Sequence, residues 1–320
     1  MKTWILAPIA LVAASGCGND FDPQSQVESV RILATRADKP YAKPGDTVSF
    51  DILAYDGRRS PASPMSVVWV KAVCANPPGD SYYACYPAFA NQFQRGVDLT
   101  PVLHEGTTFS LEVPADALEG HPATAGTPAY GTLIVFSMAC AGHVEYLGQS
   151  ATSPQAIPFG CFDAGHAKLG PDDFVFAFSR LFVFDERVNA NPVIEQLTFD
   201  GAPVDPSLGI TMDHCATTDA RKCPEKPVDI SVPASSQELD PGAIDPQGKT
   251  NKEQIWVDYY VTTGSVKDDL RLLYDPATGR VSSSANALTA PEAPAEGVLF
   301  AVVHDNRGGI NWLQVPLHIQ

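Results

Sequence analysis

The chain has 320 residues, 44% of them hydrophobic, and a formal net charge of −16. That acidity excludes a nucleic-acid partner, which needs a basic footprint, and otherwise bears only on solubility. With an N-terminal signal set aside, about 300 residues remain, a length that fits two domains.

The first element is "MKTWILAPIALVAASGCGND". A basic Lys2 precedes an apolar run from Trp4 to Ala14, which ends in Ser15, Gly16 and Cys17. A bilayer span needs about 20 apolar residues, so this run is too short to be one and has the layout of an export signal. Its small-small-Cys ending resembles the lipobox of bacterial lipoproteins, although Ala14 stands where Leu is commoner. The resemblance implies cleavage after residue 16 and acylation of Cys17, with a diacylglycerol thioether and a third, palmitate-like chain on the new amine. One acyl chain holds a protein to a membrane only weakly, whereas several anchor it stably. In the enterobacterial sorting rule an Asp after the Cys retains the protein in the inner membrane. Gly18 stands there, so the expected location is the outer membrane, on either face. Residues 17–26 form a tether that reaches at most about 35 Å. The expectation is a first domain near the bilayer and a second one projecting outward, better placed to meet a partner.

From there the pattern is that of strands. "VESVRILAT" reads as the first, and "TVSFDILAYD" alternates Val48, Phe50 and Ile52 against Ser49 and Asp51. "SVVWVKAV" carries Trp69. "TTFSLEV" follows, then the apolar "GTLIVFSMA", with "HVEYLGQ" as its expected hairpin partner beyond an Ala-Gly turn. In "DDFVFAFSRLFVFDERVNANP" phenylalanines recur with period two, which marks a strand. It reads as a linking strand before a polar linker. The second half opens on "NPVIEQLTFDG" and continues through "VDISVPA", "QIWVDYYVTTG" with Trp256, "DLRLLYD", "GVLFAVVHD" and "INWLQVPLHI". Short strands with Pro, Gly and Asp between them suggest β-sandwiches.

The two halves echo each other. Pro128 and Pro294, Gly131 and Gly297, Leu133 and Leu299, Gly142 and Gly308, and Leu147 and Leu313 match at one fixed offset without a gap, and Tyr146 aligns with Trp312. Each block reads as the last hairpin of a module, with a positive-φ glycine at its turn. The upstream tryptophan strand would be central, its indole in the core. This layout resembles exported bacterial proteins with tandem immunoglobulin-like domains of the cadherin or PKD kind, most of all in "VVHDNRGGINWLQVPLHI". The expected fold is all-β: two tandem immunoglobulin-like β-sandwiches behind the signal, at residues 27–188 and 189–320. The first would carry an insert around "CANPPGDSYYACYPAF".

Besides Cys17 there are six cysteines. An even set in an exported chain suggests disulfides, and sequence alone leaves 15 pairings open. The preferred ones are local: Cys74–Cys85, Cys140–Cys161 and Cys215–Cys223. "DHCATTDARKC" then reads as a stapled loop rather than a zinc site, and "GAIDPQGKT" has one residue too many for a phosphate-binding loop. No G-x-S-x-G or H-E-x-x-H occurs, so no enzyme is expected and an atypical hydrolase is the weakest reading. Cadherin-like domains bind calcium at their junctions; the oxygens available here are Asp185, Asn189 and Asn191 with Asp305, although Ala190 stands where a cadherin linker has Asp. A solvated linker without a cofactor is the default. The expected function is a non-catalytic module that binds a protein partner in the envelope or acts as a spacer. The alternative is a glycan-binding or adhesion protein using Tyr82, Tyr83 and Tyr86.

Overall fold

The computed structural model describes residues 23–59, 63–89, 92–150, 152–217 and 219–320. The expected signal and Cys17 lie outside them.

The first set of strands comprises β1 (Val30–Ala37), β2 (Tyr41–Ala42), β3 (Thr47–Asp56), β4 (Ser66–Val70), β5 (Leu103–Glu105), β6 (Thr108–Glu112), β7 (Gly131–Cys140), β8 (His143–Tyr146), β9 (Phe159–Phe162) and β10 (Phe174–Val183). All but β8 and β9 lie in one sheet of order β1-β3-β6 and another of order β2-β10-β7-β4-β5. The second set comprises β11 (Gln196–Phe199), β12 (Ile210–Met212), β13 (Glu225–Ser231), β14 (Ile255–Val261), β15 (Leu270–Asp275), β16 (Asn286–Thr289), β17 (Ala295–Asp305) and β18 (Ile310–Ile319). Apart from two-residue strands added at their edges, its sheets run β11-β13-β16 and β12-β18-β17-β14-β15. The β8–β9 hairpin aside, the two plans are the same in these eight strands, down to the short β2 and β12, each parallel to the last strand of its module. Both are immunoglobulin-like sandwiches.

The alternating residues explain the burial. Val48, Phe50 and Ile52 of β3 point inward with Trp69 of β4 and Leu133 and Val135 of β7. In the second module Val257 and Tyr259 of β14 meet Leu299, Ala301 and Val303 of β17. The offset that aligns Leu133 with Leu299 therefore keeps the same face inward in both copies.

Four expectations need correction. First, β7 does not pair with "HVEYLGQ". Its sheet neighbours are β4 and β10, with Leu133 opposite Leu181 on β10, so the supposed linking strand is the module's last strand. β8 instead pairs with β9 in a separate hairpin, with Glu145 opposite Gly160. Second, Gly308 has φ +97, but Gly142 does not lie in that region; a Cβ there would collide with the Phe162 carbonyl. Third, Trp69 is fully buried in the core, but Trp256 faces outward and stacks on His304 with ring centroids 5.2 Å apart. Trp312 also lies outside its own core, beneath the guanidinium of Arg36 at 4.4 Å.

The fourth correction concerns the arrangement of the modules. The outer face of β14, β17 and β18 packs on the outer face of β1 and β3. Val27, Leu33, Ala34 and Leu53 of one side and Phe300 and Val302 of the other form one buried cluster. A register shift between Ile32 and Ala34 lets Leu33 and Ala34 both join it, as an extra residue in a strand allows. Residues 25–27 then run along β14: Val27 donates to the Val261 carbonyl (3.0 Å) and Val261 to that of Ser25 (2.8 Å). Residues 25–27 thus join the body at the seam. The second module lies against the first instead of extending beyond it.

Candidate functional site

Two insertions cover the outer face of the first module's larger sheet. The segment after β4 makes short helical turns at Pro78–Asp80, Tyr82–Cys85 and Tyr86–Phe89. Cys85 is bonded to Cys74, which lies beside β7. The β8–β9 hairpin interrupts the connection from β7 to β10 and is held by Cys140–Cys161. The third disulfide, Cys215–Cys223, closes a loop of the second module. Tyr86, Phe89, Phe93, Tyr146 and Phe159 from the insertions pack on Ile134, Phe136 and Met138 of β7. This second apolar layer leaves all ten residues of β7 buried.

Tyr86 is therefore not a ligand-contact residue. It is fully buried, and burial pushes its phenol up to about 12. Tyr82 is half-buried and stacks on Phe178 at 4.1 Å. Tyr83 and Phe178 remain exposed, at 39% and 40%.

A cleft of about 490 Å³ opens beside the hairpin. Val68, Leu99, Leu103 and Tyr146 contribute apolar wall, and the carboxylates of Asp98 and Glu105 also line it. Its rim carries His143, Glu145 and His166. His143 and Glu145 are two apart on β8 and so project from one face of the strand. His166 sits in a turn where Asp163 Oδ1 accepts from the backbone N–H groups of Gly165 (2.8 Å) and Ala167 (2.9 Å). That turn brings His166 Nδ1 to 2.7 Å from Glu145 Oε1, while His143 Nε2 lies 2.9 Å from the same oxygen. The bond with His166, and then that with His143, holds the Glu145 carboxyl below its usual range. Sequence reading missed this group. The His-x-Glu spacing was visible, but His166 arrives only through the fold of the hairpin.

The expected calcium ligands lie elsewhere and only partly converge. Asp185 is exposed. Asn191 bonds the Ala37 carbonyl (2.8 Å) and the Ile310 N–H (2.8 Å). Asn189 and Asp305 do meet, with Nδ2 3.2 Å from Oδ2. Beside them lies the guanidinium of Arg307, 2.8 Å from Asn189 Oδ1, 2.7 Å from Glu238 Oε2 and 2.5 Å from Glu253 Oε1. Asp305 Oδ1 accepts from the N–H groups of Arg307 (2.7 Å) and Gly309 (2.8 Å). A built-in cation thus holds this junction. Glu253 is fully buried. Burial, reinforced by the charge of Asp305 and opposed by Arg307, pushes its carboxyl up to about 7. Burial also raises Asp305.

No family model matches the chain, and no curated protein matches it either. Among solved structures, elastase-activated alpha-2-macroglobulin of Escherichia coli is 11% identical at a TM-score of 0.22, over 94% of this chain and 22% of that one. This chain thus spans about a fifth of that structure. The D0-D1 domain of intimin is 9% identical at a TM-score of 0.19, over 89% and 95% of the two chains. The outer capsid protein Hoc of bacteriophage RB49, in its three N-terminal domains, is 10% identical at 0.19, over 91% and 59%. At these scores no relationship follows, and the fold rests on the strand order described above.

Proposed function

We propose that the protein is an outer-membrane lipoprotein held through Cys17, whose two sandwiches act as one rigid body that binds a protein partner in the envelope or sets a spacing there, without catalysing a reaction. The observation that supports this reading is the buried seam: Phe300 and Val302 pack on Leu33, Ala34 and Leu53, and residues 25–27 hydrogen-bond to β14. Holding residues 25–27 to β14 shortens the free tether to about eight residues, or about 28 Å of reach, and keeps both sandwiches near the anchor as one unit. Intact-mass analysis of the mature protein tests the anchor; a first residue other than an acylated Cys17 removes it. Cross-linking in intact envelopes, followed by capture of the lipidated protein, tests the module. A recurrent cross-linked partner supports binding, and products containing only this chain leave the spacer reading.

A second reading is favoured by the exposed rings of Tyr83 and Phe178 beside the stacked Tyr82, since sugars stack on such faces. A glycan array decides it: binding lost in Tyr83→Ala supports a lectin-like role, and no binding by the wild type removes it.

A further inference from the structure

The His143–Glu145–His166 group has no part in that reading, and its chemistry is specific. Two imidazoles and one carboxylate are the donors that borderline divalent ions take. Calcium and magnesium instead take oxygen ligands. All three donor atoms lie within 4.8 Å of one another. Around a tetrahedral zinc with bonds of about 2.0–2.1 Å, ligand atoms stand roughly 3.3 Å apart. The two nitrogen–oxygen separations here are 2.7 and 2.9 Å, so those pairs need part by only a few tenths of an ångström to admit an ion, and the two imidazole nitrogens stand within 4.8 Å of each other.

We propose that His143, Glu145 and His166 form a binding site for a borderline divalent transition-metal ion such as Zn²⁺, with a fourth position open toward the cleft. Three features support the geometry. Two ligands share one face of β8, and pairing with β9 fixes that strand. The third ligand is placed by the Asp163 turn. The hairpin that carries all of them is stapled to the end of β7 by Cys140–Cys161. The carboxylates of Asp98 and Glu105 line the same cleft and make its field favourable to a cation. An open position is the mark of a site that also takes an exogenous donor. A partner's His or carboxylate side chain would have the chemistry to complete it.

The test is calorimetric titration of the full chain, purified in detergent without a polyhistidine tag, with ZnCl₂ alone. One Zn²⁺ per chain is expected to bind saturably. Losing an outer-shell partner of a metal ligand weakens affinity by roughly 10–100-fold, so His143→Ala or His166→Ala, each removing a ligand, should weaken it by more than about a hundredfold. Glu145→Gln should weaken it as well, and His318→Ala, on the second module, should not. Thermal melts without metal establish that the variants are folded; these three side chains lie at the surface and their replacement should leave the apo midpoint nearly unchanged. Absence of saturable binding to the wild type overturns the proposal. So does unchanged affinity in the folded variants, and equal binding of CaCl₂ at the same residues overturns the assignment of metal class.

Discussion

At the scale of single residues the junction is controlled by Arg307. Its side chain is 5% exposed and contacts Glu253, which is fully buried. Removing one partner of a buried pair typically costs about 3–5 kcal/mol, because the other charge is left without compensation. Arg307→Met should therefore lower stability by that order in denaturant melts. Glu253 gives a pH signature. Its folded value of about 7 lies above the ordinary 4.5, so the folded state holds the proton more tightly than the unfolded one. The resulting stabilisation is complete below about pH 4.5 and is lost as pH rises through about 7. Glu253→Gln cannot titrate. Wild-type stability relative to this variant should fall between pH 5 and pH 8, as urea midpoints at each pH will read. A constant difference would mean that Glu253 keeps the same protonation state throughout.

At the scale of elements, the β8–β9 hairpin depends on its staple. A chain-entropy estimate for a loop of this size is about 3 kcal/mol. The paired substitution Cys140→Ala with Cys161→Ala should destabilise the first module by that order, measured by urea unfolding. The strands themselves were legible because their alternation is physical: side chains on a strand point to opposite faces. The pairing of β7 was not. An apolar strand, an Ala-Gly turn and an alternating segment look like a hairpin, and nothing local reveals that the true partner follows a long excursion. Trp256 was misplaced for a related reason. Both faces of β14 carry aromatic side chains, since Val257 and Tyr259 fill the core while Tyr260 lies beside the seam and Trp256 stacks on His304. Alternation fixes which residues share a face but not which face is inside. In the candidate site, His143 and Glu145 could be paired by spacing, whereas His166 required tertiary structure. The calcium reading found Asn189 and Asp305 through their oxygens but missed that a basic side chain two residues further on would hold them.

At the scale of the whole molecule, the repeated plan explains how one chain builds two sandwiches, and the seam packs the two against each other. Phe300 and Val302 face the seam, while Leu299, Ala301 and Val303 face the module's own core. Paired replacement Phe300→Asp with Val302→Asp should leave each core intact but place unpaired charges in the interface, which is costly in an apolar setting. Small-angle scattering should then show a larger radius of gyration, and melting should split into two transitions. A compact variant with one transition would mean that the junction around Arg307 suffices to hold the modules.

The backbone bonds of residues 25–27 to Val261 have a mechanical consequence. A pull on the chain ahead of Ser25 falls first on these bonds and on Val27, which belongs to the buried cluster between the two halves. Traction must first strip this short ribbon from β14 before it can load β1.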